Sequence, residues 1–286
     1  MIDNLTIIFI TFQEEMNIRE CVLSAQKITD NIFVVDSFST DQTQSILIEM
    51  GITFVEHEFI SYRDKRNWAQ RNNPFKTEWV LHLDADERLT PELVTWLNNK
   101  FPVIKNKFDG FMFSRKTMFL NKWIRFGDQY PNFHLRLFKA EMGYVEDKAY
   151  DNHWVLPGGN IMTVHCADII NKVACNLDQF VISHNKWATK QALEIILNNE
   201  SSGEVNPRLF GNPIERKRWF KIYIFQKSPL FLRGFAYFFY RYIIKLGFLD
   251  GKEGLIFFVL QTFWFRFLVD AKVYEARKAD QESKLL

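Results

Sequence analysis

Two carboxylates spaced i, i+2 close an apolar run in Leu81-His82-Leu83-Asp84-Ala85-Asp86-Glu87. On an extended backbone that spacing turns Asp84 and Asp86 to one face. At the carboxyl end of a strand, it sets them where open α/β sheets bind ligands. Two hard oxygen donors there suit Mg2+ or Mn2+ shared with a diphosphate. A solvated acidic turn that caps the next helix would read the same way, so the pair takes its meaning from its surroundings.

A second apolar run, Phe33-Val34-Val35, also ends on an acid, Asp36, and enters the hydroxyl-rich turn Ser37-Phe38-Ser39-Thr40-Asp41. Asp36 can accept a hydrogen bond from a nucleobase or ribose and has no evident task in the fold, whereas Ser39 or Thr40 reads as a helix N-cap. Thr11-Phe12-Gln13-Glu14-Glu15 follows the first apolar run, and Arg63, Lys65, Arg66 and Asn67 lie on a later polar helix. Those cations either neutralise a nucleotide phosphate or form a solvated face. His153 and His165 read either as metal or phosphate contacts or as partners of backbone groups. The sequence has neither G-x-G-x-x-G nor G-x-x-x-x-G-K-[ST], which disfavours dinucleotide and P-loop enzymes.

These residues need a scaffold, and the first half alternates short apolar runs with helical patterns, the mark of βαβ units and a mainly parallel sheet. Strands are expected at Leu5 to Ile10, Ile32 to Asp36, Ile52 to Glu56 and Trp79 to Asp84. Helices are expected at Asn17 to Ile28, Thr40 to Met50 and Ser61 to Asn72, with another from Thr90 that carries Pro91 at its first position. From Phe101 to about Val164 shorter strand-like pieces take over, among them Gly110 to Ser114 and Phe133 to Phe138. Beyond Val164 the pattern turns helical, with a connector at Glu204 to Pro213. The expected organisation is a catalytic α/β domain over 1–164, its nucleotide half about 1–100 and its acceptor half about 101–164, followed by a helical region over 165–286.

The ordered set Thr11-Phe12-Gln13-Glu14, Val35-Asp36-Ser37-Phe38-Ser39-Thr40-Asp41, Lys65-Arg66-Asn67-Trp68-Ala69 and Leu83-Asp84-Ala85-Asp86-Glu87 resembles glycosyltransferase family 2. Leu135-Arg136-Leu137-Phe138, Glu146 to His153, His184-Asn185-Lys186-Trp187 and Leu246 to Gly251 are similar to a subgroup that assembles bacterial surface polysaccharide and lipopolysaccharide. The resemblance implies a GT-A, Rossmann-like fold and inverting transfer from a UDP- or GDP-sugar to a hydroxyl of a glycan or lipid-linked acceptor. It implies that Thr11, Glu14, Asp36, Arg66, Asp84 and Arg136 meet the nucleotide sugar and that Asp86 with Asp84 holds the metal. It also puts the general base in the Glu146 to His153 segment, with Asp151 favoured and Asp147 and Glu146 as alternates, because an alcohol needs its proton removed to attack. Gln13 stands where the family more often has Asn, and Phe38 where it more often has Gly.

Two rival classes remain. A sugar-phosphate nucleotidyltransferase would need a Gly-rich basic loop after the first strand, and Thr11 to Glu15 is acidic instead. A membrane-bound scaffold without activity would keep the acids only as caps.

The 286 residues carry 36 basic and 34 acidic side chains, so overall charge gives no reason to expect a nucleic-acid partner. Cys21, Cys166 and Cys175 form no C-x-x-C pair, which fits a reducing cytosol better than a disulfide framework, and Met1 to Asn4 does not read as a signal peptide. Aromatic and basic residues crowd together from Phe210 to Phe267, and the longest apolar run, Leu255 to Val269, falls short of the roughly 20 residues of a spanning helix. The expected location is therefore cytoplasmic and peripheral on the inner membrane, with the tail either in the headgroup region of the inner leaflet or packed on the catalytic domain or across a homodimer.

Overall fold

A computed structural model describes all residues except 148–151, 174–175, 198–206, 212, 226 and 284–286. It divides into two compact units, the first made of Met1–Lys116, Asn132–Glu146 and His153–Asn171, the second of Thr117–Pro131, Asp147–Asn152 and Lys172–Leu286.

The first unit opens with β1 (Leu5–Thr11), α1 (Ile18–Ala25), β2 (Ile32–Asp36), α2 (Thr43–Glu49), β3 (Thr53–Glu56), α3 (Tyr62–Arg71) and β4 (Trp79–Asp84). It continues with β5 (Glu87–Leu89), α4 (Pro91–Asn99), α5 (Phe101–Ile104), β6 (Gly110–Phe119), whose last three residues belong to the second unit, and, after β7 (Lys122–Ile124) of that unit, β8 (Phe133–Lys139). The hairpin of β9 (Tyr144–Val145) and β10 (Trp154–Val155) precedes β11 (Ile161–Lys172). The main sheet runs β3-β2-β1-β4-β8-β6-β11-β5. Pairings among β3, β2, β1 and β4 are parallel, as expected, and β8 then joins β4 and β6 antiparallel.

Central strands of a parallel sheet are covered on both faces, which is why β1 and β2 read as continuous apolar runs. Leu5, Ile7, Phe9 and Val34 lie in one core with Val22 and Leu93, and Trp79, Trp96, Phe101 and Phe111 add edge-to-face ring contacts with centroids 5.0 to 5.6 Å apart. The order places β2 and β4 on opposite sides of β1, so the switch point lies beyond Thr11, Asp36 and Asp84. The helical pattern anticipated after Val164 starts later, because β11 runs to Lys172 and closes the sheet against β5. Its residues alternate too weakly in polarity to announce a strand.

The second unit holds the 117–131 segment and the helices α6 (Leu177–Ile196), α7 (Pro213–Phe220), α8 (Leu232–Phe239), α9 (Gly251–Phe258) and α10 (Phe265–Ser283). Ala188 of α6 packs with Phe265 and Val269 of α10. The Leu246 to Gly251 motif serves this packing. A side chain at Gly247 would meet the Phe258 ring at 2.7 Å, and buried Asp250 accepts hydrogen bonds from the Arg125 and Phe126 amides at 3.1 and 2.9 Å. His184 is likewise internal, with Nδ1 2.8 Å from the Phe180 carbonyl and Nε2 2.7 Å from Gln261 Oε1. Helical backbone continues from Gly247 to Gln281, 35 residues, which by length and composition alone is enough to cross a membrane. The shorter apolar run in the sequence did not show this, because the helix extends past it on both sides.

Candidate active site

Asp36, at the end of β2, is fully buried and accepts four hydrogen bonds. Thr11 Oγ1 and Ser39 Oγ reach one oxygen at 2.8 and 2.6 Å, and the Ser39 amide and Gln44 Nε2 reach the other at 2.7 and 2.8 Å. Burial alone would raise its pKa, but the bonds from Ser39, Gln44 and Thr11 outweigh burial and hold the carboxyl below the ordinary Asp range. Asp36 thus has the task in the fold that its sequence did not reveal: it ties β1 to the turn after β2.

That turn also differs from the expected cap. α2 begins at Thr43, and Asp41 Oδ1 accepts from the Thr43 amide at 3.0 Å, so neither Ser39 nor Thr40 caps the helix; Ser39 serves Asp36 and Thr40 accepts from Gln13 Nε2 at 2.9 Å. Gln13 and Phe38 both have φ of 58°, in the left-handed region that favours Gly and Asn. The two departures from the family's usual residues therefore fall on the two strained positions of these turns.

Of the four α3 residues grouped with the cationic face, Arg66 turns to the acids. Lys65 is 2 % exposed, and its Nζ donates to the Thr11 carbonyl at 2.7 Å and Ser37 Oγ at 2.6 Å, beneath the crevice. Burial lowers its pKa to about 8, against the opposing pull of Asp36. Asn67 holds β9 through Val145, donating to its carbonyl at 3.2 Å and accepting from its amide at 2.8 Å.

The two acids of the Asp-x-Asp pair stand in opposite electrostatic settings. Asp84 is gripped on both oxygens, by Arg66 Nη2 at 2.6 Å and Arg136 Nη2 at 3.0 Å. Burial opposes its charge, yet the two guanidiniums win and hold it far below the usual carboxylate range. Asp86 accepts from Asn171 Nδ2 at 3.1 Å. Burial first, then the charges of Asp84, Glu87 and Glu14, push its pKa up to about 8. The same burial raises Glu14, whose Oε2 accepts from Asn17 at 2.9 Å. One carboxylate is thus neutralised by arginine, while the other is crowded by acids that disfavour its charged form.

Glu87, absent from the expected site, organises this turn. It is fully buried, accepts from Arg136 Nη2 at 2.6 Å, and accepts from the Asp84 amide on its other oxygen at 3.0 Å. Arg88 clamps the turn from the far side, donating to the Ala85 carbonyl at 3.0 Å and the Asn17 carbonyl at 2.8 Å. A third acid beside Asp-x-Asp was visible in the sequence, but its inward direction depends on β5 pairing with β11 through Glu87 and Asn171.

Asp151 lies outside the described residues. Glu146 is buried, and one of its oxygens takes the His153 amide at 3.1 Å and faces His153 Nδ1 at 3.2 Å, an arrangement that joins the two ends of this segment. Asp147 is exposed. His165 is exposed as well and meets Phe133 edge-on, with centroids 4.9 Å apart.

Residues 6–145 match the family described as Glycosyl transferase family 2. The match runs from β1 to β9 and takes in every residue of the acid turn. An uncharacterized glycosyltransferase of Rickettsia conorii is 33 % identical over 91 residues, 32 % of each chain. Another from Rickettsia typhi is 36 % identical over 84 residues, 29 % of this chain and 28 % of that one. The chain thus aligns with about a third of the length of these curated relatives. The mannosyltransferase PcManGT of Pyrobaculum calidifontis, solved with GDP-Man and Mn2+, superposes with a TM-score of 0.50 at 14 % identity, covering 98 % of this chain and 88 % of that one. The glycosyltransferase fold, a GT-A sheet with a C-terminal helical region, is accordingly the fold of this chain.

Proposed function

We propose that this family 2 glycosyltransferase moves a sugar from a nucleoside-diphosphate sugar to a hydroxyl of a glycan or lipid-linked acceptor, with inversion, in cell-surface polysaccharide assembly. The observation that carries the reading is the contrast between Asp84, held on both oxygens by Arg66 and Arg136, and Asp86, which bonds Asn171 and is pushed toward its protonated form by burial and the acids Asp84, Glu87 and Glu14 at the carboxyl edge of the sheet. A nucleotide diphosphate alone would only add negative charge there. A divalent cation would remove the conflict, and ions of the Mg2+ type use one or two carboxylates and leave other positions to substrate phosphates.

The donor set fits that description. Among the described residues no group of three or more His, Cys, Asp or Glu side chains could enclose a metal ion by itself. Asp86 would hold the cation, and Asp84 lies nearby with its orientation set by two arginines. Mg2+ or Mn2+ bound there would supply electrostatic stabilisation for the leaving diphosphate.

The protein's own residues do the rest of the work. Asp36 and Thr11 shape the nucleotide end of the crevice, and Arg66 and Arg136 keep the acid turn in place. For the base, the burial of Glu146 and its bonds to His153 argue for a positioning part, so removal of the acceptor proton falls to Asp151, with Asp147 second. The enzyme acts on the cytoplasmic side.

Transfer is tested by following nucleoside diphosphate release from UDP- and GDP-sugars with Mn2+ and with EDTA. Metal-dependent release supports the reading, and its absence across the donor panel would favour an inactive scaffold. Asp151→Asn should abolish transfer to the acceptor while donor binding persists; full turnover would remove Asp151 from the base role.

A further inference from the structure

The second unit carries a face that its own packing leaves open. Along α8, the π-helical turn after it and the residues just beyond, Leu232, Phe235, Phe239, Ile243 and Leu246 recur every three or four residues, and all are exposed, Leu232, Phe235 and Phe239 by more than half. Leu249 extends the apolar surface past the end of this helix. Their spacing places them on one side, while the opposite side carries Arg233, buried with Asp270, and Arg241, which donates to Gln129 at 2.8 Å and to the Tyr237 hydroxyl at 2.7 Å. The helix is thus anchored through one face and largely exposed on the other, where Phe235 keeps a ring contact with Phe263, centroids 4.4 Å apart. A contiguous apolar surface of this kind on a folded protein marks a contact with something else.

Charge decides between the candidate partners. From Arg216 to Lys252 there are nine basic residues and one acid, Asp250, and that acid is buried. Arg216, Lys217, Lys227, Lys245 and Lys252 are exposed. The whole chain is nearly balanced at +2, so the positive charge is concentrated where the apolar side chains emerge. A second copy of the same face would bring like charges together, which opposes association. An anionic bilayer presents the opposite charge together with an apolar interior for Phe and Leu.

We infer that this face docks in the headgroup region of an anionic lipid bilayer, with Leu232, Phe235, Phe239 and Ile243 dipping into it and Lys245 and Lys252 meeting lipid phosphate. The inference deepens the reading of a lipid-linked acceptor given above. The long helix from Gly247 fits lying against the bilayer better than crossing it. Gln261, Arg266 and Asp270 along its length are bonded to His184, Gln191 and Arg233 of the same unit, so these three polar groups face the inside of the unit rather than lipid.

The test is co-sedimentation of the full chain with vesicles of phosphatidylcholine alone and of phosphatidylcholine with an equal part of phosphatidylglycerol. The chain should sediment with the anionic vesicles and be released by high salt. Phe235→Ser with Phe239→Ser should weaken that binding by about tenfold or more. Lys245→Glu with Lys252→Glu should weaken it on anionic vesicles only. All four side chains are exposed, so circular dichroism should show unchanged folding. Equal sedimentation of the Phe235/Phe239 variant would overturn the inference. So would a wild-type chain that stays in solution as a dimer which these changes dissociate, or one bound so that neither high salt nor alkaline carbonate releases it. Binding of UDP or GDP with Mn2+, followed by thermal shift, reads the crevice separately, so failure of one reading leaves the other intact.

Discussion

Arg136 and Glu87 form an ion pair at 2.6 Å with both side chains almost wholly buried, behind the turn that presents Asp84 and Asp86. Arg136 also reaches Asp84, and the second Glu87 oxygen accepts from the Asp84 amide, so one pair fixes both the side chain and the backbone of the first acid. Removing one member of a buried pair leaves an uncompensated charge and costs about 3–5 kcal/mol. Arg136→Met and Glu87→Gln should each lower stability on that scale, and the double variant should lose clearly less than their sum. Urea unfolding of the four proteins measures this; additive losses would show that the pair does not act as a unit.

Thr11 acts on the crevice through Asp36. A hydrogen bond to a charged group contributes about 1.5–3 kcal/mol, so Thr11→Val should destabilise by that order and shift the Asp36 carboxyl upward. Asp36 is held below its unfolded value, so its contribution to stability is present above the ordinary Asp range and disappears as pH falls through the folded pKa. In Thr11→Val that loss should be smaller and complete at a higher pH, seen in acid unfolding curves.

Lys65 gives the opposite dependence. Its folded pKa of about 8 lies below the 10.5 of an ordinary lysine, so between those values the unfolded chain binds the extra proton and stability rises with pH. The rise is at most about 3 kcal/mol, from 1.36 kcal/mol per pKa unit. Lys65→Met should remove it, so the stability difference between wild type and variant should change between pH 7.5 and 10; a constant difference would contradict the assignment.

Phe38 is more than half exposed and left-handed. Replacing it by Gly relieves a penalty of roughly 1–2 kcal/mol and adds an entropy cost of about 0.5–1 kcal/mol. Phe38→Gly should therefore raise stability by about 0.5–1 kcal/mol, measured as a higher melting temperature.

The parallel half of the sheet was legible in the sequence because it is local. Apolar runs ending on Asp36 and Asp84 mark parallel strands with their carboxyl ends at one edge, and Thr90 with Pro91 marks the start of α4, where Thr90 Oγ1 accepts from the Leu93 amide. What stayed hidden depends on distant pairing. Lys65 looks like its solvated neighbours until α3 is laid on β1, and Glu87 looks like an exposed turn acid until β11 brings Asn171 beside it. Asp36 stands out in the sequence as a strand-end acid, but its bonds to Thr11 and Gln44 require the folded turn.

The central claim is that Asp86 supplies the carboxylate for the cation that shares the donor diphosphate. Calorimetric titration of UDP and GDP into the full chain, with Mn2+ and with EDTA, tests it on wild type, Asp86→Asn and the control Asp147→Asn. Wild type and control should bind one nucleotide tightly with Mn2+ and at least about tenfold more weakly with EDTA, a difference of 1.4 kcal/mol or more, and Asp86→Asn should bind weakly in both. Equal Mn2+-dependent binding by Asp86→Asn would contradict the account.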